Sequence, residues 1–126
     1  MHQELSQMGE MRLSATVLIV THTARFLPGA VVATPGALAL LEETGFSAVA
    51  LLSRHLHGDW GDCCADDAAT NEFAVTQQVR LMSVYRLVDP VKLANTPSDK
   101  RSDLPTIWII TEADRSVTTL LLPSEY

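Results

Sequence analysis

The sequence predicts an α+β fold in which N-terminal helices pack on a small C-terminal antiparallel β-meander. Three observations predict it. Apolar residues recur at helical spacing between residues 35 and 78. From Val79 onward the strand-forming residues are concentrated, in Val79–Leu87, Thr106–Thr111 and Val117–Leu122. Glycines and prolines punctuate the joins between these runs. Runs of helix followed by runs of strand are the pattern of helices set on one face of an antiparallel sheet.

Taken in order, residues 1–12 are polar and Met-rich and are expected to fray. Ser14–Thr21 is β-branched and apolar, a candidate strand that Pro28-Gly29 follows as a break. Ala30–Ala33 reads as a short extended piece. Thr34 then offers an N-cap oxygen, and Pro35 sits at the first helical position, where its missing N–H costs little; Gly45 ends that helix. Phe46-Ser47 opens a second helix with an apolar face of Val49, Leu52 and Leu56, backed by Ala48 and Leu51, and Gly58 terminates it. Asp66 or Asp67 is expected to cap a third helix running to about Gln78, with Ala69, Phe73 and Val75 or Thr76 as its apolar stripe. Val79–Leu87 is the first strand of the meander. Val88–Leu104 reads as a long loop, mobile and tolerant of length change. Thr106–Thr111 and Val117–Leu122 form a hairpin around Glu112–Ser116, in which Thr111 faces Thr118 and Trp108 faces Leu121; Pro123 stops the last strand.

At 126 residues the chain fits one domain, and a chain of this size buries roughly two-thirds of its unfolded surface. The domain is expected over residues 26–126, with residues 1–25 an N-terminal extension, partly disordered or contributing one added strand. No apolar run reaches the roughly 20 residues of a membrane span, and Glu4 and Glu10 spoil the signal-peptide look of Arg12–Val20, so a cytoplasmic location is expected. The net charge is −6, and Asp59–Glu72 holds five acids and no Lys or Arg. Nucleic-acid binding normally needs a basic face, so any such contact is expected only through local arginines such as Arg80, Arg86 and Arg115. The adjacent Cys63 and Cys64 form neither a Cys-x-x-Cys motif nor a disulfide framework. No cofactor and no metal centre is expected, and no pattern indicates an oligomeric state.

Two polar runs are the candidate sites. The first is His55–Asp62, reading His-Leu-His-Gly-Asp-Trp-Gly-Asp. His55 and His57, two apart, point to different faces of a helix. Three readings stand: one of them a general base, a metal site completed by Asp59 and Asp62, or a helix cap with a loop hydrogen bond. For Asp59-Trp60-Gly61-Asp62 the readings are a binding loop or a staple, with Trp60 anchoring it and the carboxylates accepting backbone N–H groups. The second run is Glu112-Ala-Asp-Arg-Ser at the hairpin tip, with Thr118 and Thr119 behind it. Arg115 beside hydroxyls suits a phosphate or carboxylate, and equally a turn in which it pairs with Asp114 or a helix acid. Arg80 is a further binding candidate, although alternation puts Ser83 and Tyr85 on one strand face and Arg80 on the other.

Phe26-Leu-Pro-Gly, Ala33-Thr-Pro-Gly-Ala-Leu, Arg54-His55, Gly58-Asp-Trp-Gly-Asp, Asp66 or Asp67, Asn71, Arg80, Ser83-Val-Tyr85 and Ile107 through Thr119, with Pro123 and Tyr126, occur in one order. Over Phe26–Tyr126 this resembles a family of small uncharacterised bacterial proteins carried on plasmids and integrative elements. Its members bear the labels plasmid-related protein and type I restriction methylase subunit. The second label is set aside, because no methylase motif occurs in the chain. The resemblance implies an accessory protein of mobile elements, acting through another protein, for which the acidic segment 59–72 is the expected contact face. The order of helices and meander also resembles, in topology only, the barnase/EndoU/RelE-type fold. That likeness implies an alternative: a metal-independent ribonuclease with His55 or His57 as base, Arg115 holding the phosphate, and Thr118 or Thr119 orienting it.

Overall fold

The computed structural model describes residues 23–126. The strand expected at Ser14–Thr21 and the frayed start expected at residues 1–12 lie outside the described residues. The elements run β1 (Ala30–Ala33), α1 (Pro35–Thr44), α2 (Ala48–Leu56), α3 (Ala65–Gln77), β2 (Leu81–Arg86), α4 (Pro90–Ala94), a 3₁₀ turn (Ser98–Asp103), β3 (Thr106–Thr111), β4 (Val117–Leu121) and a second 3₁₀ turn (Pro123–Glu125). The fold is α+β.

The three C-terminal strands form the expected antiparallel meander, and Thr111 pairs with Thr118 and Trp108 with Leu121 as the turn placement requires. The sheet has a fourth strand. The extended piece Ala30–Ala33 joins the outer side of β4 in parallel, so the order is β1-β4-β3-β2 and the sheet is mixed. Parallel neighbours need a long crossover, and here the four α-helices, β2 and β3 all lie between β1 and β4 in the chain.

Helix starts follow the capping chemistry. Thr34 accepts from Ala37 N–H at 3.0 Å and Ser47 from Ala50 N–H at 3.1 Å. Gly45 closes α1 in the left-handed conformation at φ +76°. The core lies between the helices and one face of the sheet: Leu41 of α1, Leu51, Leu52 and Leu56 of α2 and Ala74 of α3 meet Leu81, Tyr85, Ile107, Ile109 and Leu120.

Three expectations are corrected. Helix α3 begins at Ala65 with Cys64 at the N-cap, so Asp66 and Asp67 sit in its first turn rather than capping it. Its inner face is Ala68, Asn71 and Ala74, with Val75 beside them, while Ala69 is exposed and Phe73 is 60% exposed. The inward position is held by a polar Asn71, which a count of apolar residues passes over. The stretch Val88–Leu104 is not a long structureless loop. Asp89 accepts from Lys92 N–H at 2.9 Å with Pro90 next in line, which starts α4, and the 3₁₀ turn follows.

Candidate functional site

His55 lies on the inner face of α2, with Leu52 and Leu56 one turn before it and beside it, and it is fully buried. Its Nδ1 stands 2.6 Å from Ser83 Oγ on β2 and its Nε2 stands 2.9 Å from Thr111 Oγ1 on β3. Thr111 Oγ1 is 2.7 Å from Thr118 Oγ1, and Thr118 donates to the Pro28 carbonyl at 2.8 Å. That carbonyl can only accept, which sets the direction of the chain. Thr118 donates to Pro28, Thr111 donates to Thr118, His55 Nε2–H donates to Thr111, and Ser83 Oγ–H donates to Nδ1. The hydroxyl chain places a proton on Nε2, and burial keeps Nδ1 unprotonated, so the imidazole is the neutral Nε2–H tautomer. Burial, reinforced by the nearby Arg115 charge, pushes its pKa down to about 3.

Two rings enclose this imidazole. Phe26 meets it edge-on at 5.2 Å and Trp60 at 6.0 Å, and Phe26 stacks on Trp60 at 6.2 Å. The Trp60 indole N–H donates to Glu72 at 2.9 Å, and Glu72 takes both guanidinium arms of Arg25 at 2.8 Å. Those bonds, from Arg25 first and then Trp60, hold the Glu72 carboxyl down at about 2.

His57 is exposed and caps α2: its Nδ1 donates to the Ser53 carbonyl at 2.7 Å and its Nε2 lies 2.8 Å from the Thr23 hydroxyl. The two histidines thus face opposite ways, as their spacing requires.

Asp59–Asp62 form a strap. Tyr85 Oη donates to the Asp59 carbonyl at 2.6 Å; Val84 N–H donates to the Trp60 carbonyl at 3.0 Å, and Asp62 N–H to the Val84 carbonyl at 2.7 Å. Gly61 is required at φ +76°, where a Cβ would fall 2.0 Å from the Val84 oxygen. Asp59 accepts Gly61 N–H and pairs with Arg54, which holds its carboxyl below the usual range. Asp62 binds no backbone N–H through its side chain. Its oxygens take Arg86 at 2.9 Å and Arg101 at 2.7 Å; burial opposes its charge, and these bonds still keep its pKa low.

At the hairpin tip Arg115 adopts φ +61°. Its guanidinium donates to the carbonyls of Ala74 at 2.7 Å and Val79 at 2.8 Å, with longer bonds to Glu112 and Ala113. It therefore pairs with neither Asp114 nor a helix acid; it caps the C-terminal end of α3. Asp114 accepts Ser116 N–H at 3.0 Å. Glu112 pairs with Arg80 at 3.1 Å, and Arg80 also donates to Tyr126 Oη at 2.7 Å.

His55 and Arg115 are both brought against Phe26, the guanidinium 5.6 Å over its ring. Thr118 joins them through Thr111. His57, Arg80, Glu112 and Asp114 stand apart from this group. Sequence reasoning missed Ser83 and Thr111 as partners of His55; the legible signals were the inward alternation of Ser83 with Tyr85 and the pairing of Thr111 with Thr118. It also missed Glu72, Arg101 and the pairing of Arg86 with Asp62, which depend on long-range contacts, and the local pairing of Arg54 with Asp59.

An open concavity among the described residues lies elsewhere. A cleft of about 550 Å³ lies beside the strap, between Arg54 of α2, Val84–Arg86 of β2 and Asp89–Leu93, with Phe46 and Val88 in its walls. Among the described residues, no three of His, Cys, Asp and Glu are grouped to hold a metal ion, and no single helix is long and apolar enough to cross a membrane.

No family model, curated protein or solved structure matches the chain.

Proposed function

We propose that this chain is a small accessory protein of bacterial mobile elements that acts by binding another protein. One observation carries the reading. The atoms that would do chemistry are engaged inside the fold, both nitrogens of His55 by hydroxyls and the Arg115 guanidinium by main-chain carbonyls, while the cleft and the outer face of α3 stay open. That outer face carries Asp66 and the 60% exposed Phe73, with Asp67 exposed on the side toward Cys63 and Cys64. Within this acidic segment and among the described residues, the acids at 59, 62 and 72 are each paired with arginine, whereas Asp66 and Asp67 are not.

The ribonuclease reading draws support from His55 and Arg115 meeting at Phe26. It requires Phe26 and Trp60 to open, since a general base must come within hydrogen-bond reach of the proton it takes. The test is turnover of a defined single-stranded RNA by the wild-type chain and by His55→Gln. The binding reading expects no difference between them. Turnover abolished by His55→Gln contradicts it.

A further inference from the structure

The outer edge of β2 is closed residue by residue, and the closure stops before the strand does. Ser83 and Tyr85 face β3, so the N–H and C=O groups of Met82, Val84 and Arg86 point away from the sheet. Asn71 closes the first, accepting Met82 N–H at 3.1 Å and donating to the Met82 carbonyl at 2.8 Å. The strap closes the second, with Gly61 bridged in parallel to Val84. At Arg86 the chain has already turned off toward α3. Among the described residues no group bonds the Arg86 N–H or C=O. Arg86 lines the cleft, together with Val88, Pro90, Leu93 and Phe46.

We propose that this cleft takes an extended segment of a partner protein as an added strand, which pairs with the Arg86 backbone in line with the strap and lays an apolar side chain against Phe46, Val88 and Leu93. The inference rests on the protein-binding reading and names its site and mode. An unpaired N–H and C=O beside an apolar wall is the chemistry that recognises an extended backbone, which supplies main-chain bonds on one period and side chains for pockets on the other. The strap shows that this edge accepts extended chain, because three of the protein's own residues already do so one step earlier.

Two measurements on the full chain test it. In native-state amide exchange, Met82 and Val84 are expected to be protected and Arg86 to exchange at least about 100-fold faster. Protection of Arg86 in the free chain overturns the proposal, whether a second copy or another part of the chain provides it. The second measurement selects displayed random dodecapeptides on the protein. Enriched peptides are expected to protect Arg86, and to weaken at least about tenfold both on N-methylation of alternate amides and on Leu93→Asp, with Met82 protection unchanged as the check on folding. Peptides that bind but respond only to Asp66→Lys and Asp67→Lys overturn the cleft while leaving protein binding intact. A selection that enriches nothing also overturns it.

Discussion

A buried histidine with two hydroxyl partners is more expensive to charge than to keep neutral, and that sets the pH response of this fold. The unfolded imidazole titrates near its ordinary value of 6.5 and the folded one near 3, so the unfolded state binds the extra proton between them. Stability from this group is complete above pH 6.5 and falls by roughly 1 kcal/mol per pH unit toward pH 3. Urea titrations of the wild type and His55→Gln at pH 7 and pH 4.5 measure it, and the wild type is expected to lose more on acidification. Thr111 relays the chain of bonds. Thr111→Val keeps the shape and strips His55 Nε2–H of its acceptor, an expected loss of about 1–3 kcal/mol. Arg115 combines bonds to the end of α3 with a positive φ. Arg115→Ala is expected to lose about 2 kcal/mol for the charged hydrogen bonds, and Arg115→Gly about 1 kcal/mol less than that, because glycine relieves the left-handed backbone. Equal losses would show that the backbone there is unstrained.

Among the elements, α3 is held mainly by polar contacts. Asn71 binds both main-chain groups of Met82, and Arg115 binds its last carbonyls. Asn71→Ala is therefore expected to cost about 1–3 kcal/mol and to release Met82 amide protection, whereas Phe73→Ser is expected to stay within about 0.5 kcal/mol. Hydropathy alone expects the reverse order. The elements that were legible in the sequence are those written in local chemistry: the Thr34-Pro35 and Ser47 starts, the glycine stop at 45, and the hairpin whose turn sets Thr111 against Thr118. The inner face of α3 was not legible, because its key residue answers to a strand eleven positions away. Helix α4 was written locally, in Asp89-Pro90, but mixed charge masked it.

For the whole molecule, the polar runs at 55–62 and 112–116 are where the helical layer is fastened to the sheet. His55 joins α2 to β2 and β3, the strap closes the edge of β2, and Arg115 ties the β3–β4 turn to the end of α3. The α+β class and the meander were readable from periodicity. The parallel seat of β1 was not, since Ala30–Ala33 carries no mark of its neighbour. The candidate residues were readable as unusual, but their use was not, because whether an imidazole serves chemistry or the core depends on what closes over it. Here Phe26 and Trp60 do, and the open edge falls at Arg86, two residues along β2 from the Val84 that the strap closes. The most direct test is a long-range proton–nitrogen correlation spectrum of the imidazoles from pH 8 to pH 4. Enclosure predicts that His55 holds the neutral Nε2–H form throughout that range. A His55 that titrates near pH 6.5, in a chain still folded, would contradict it.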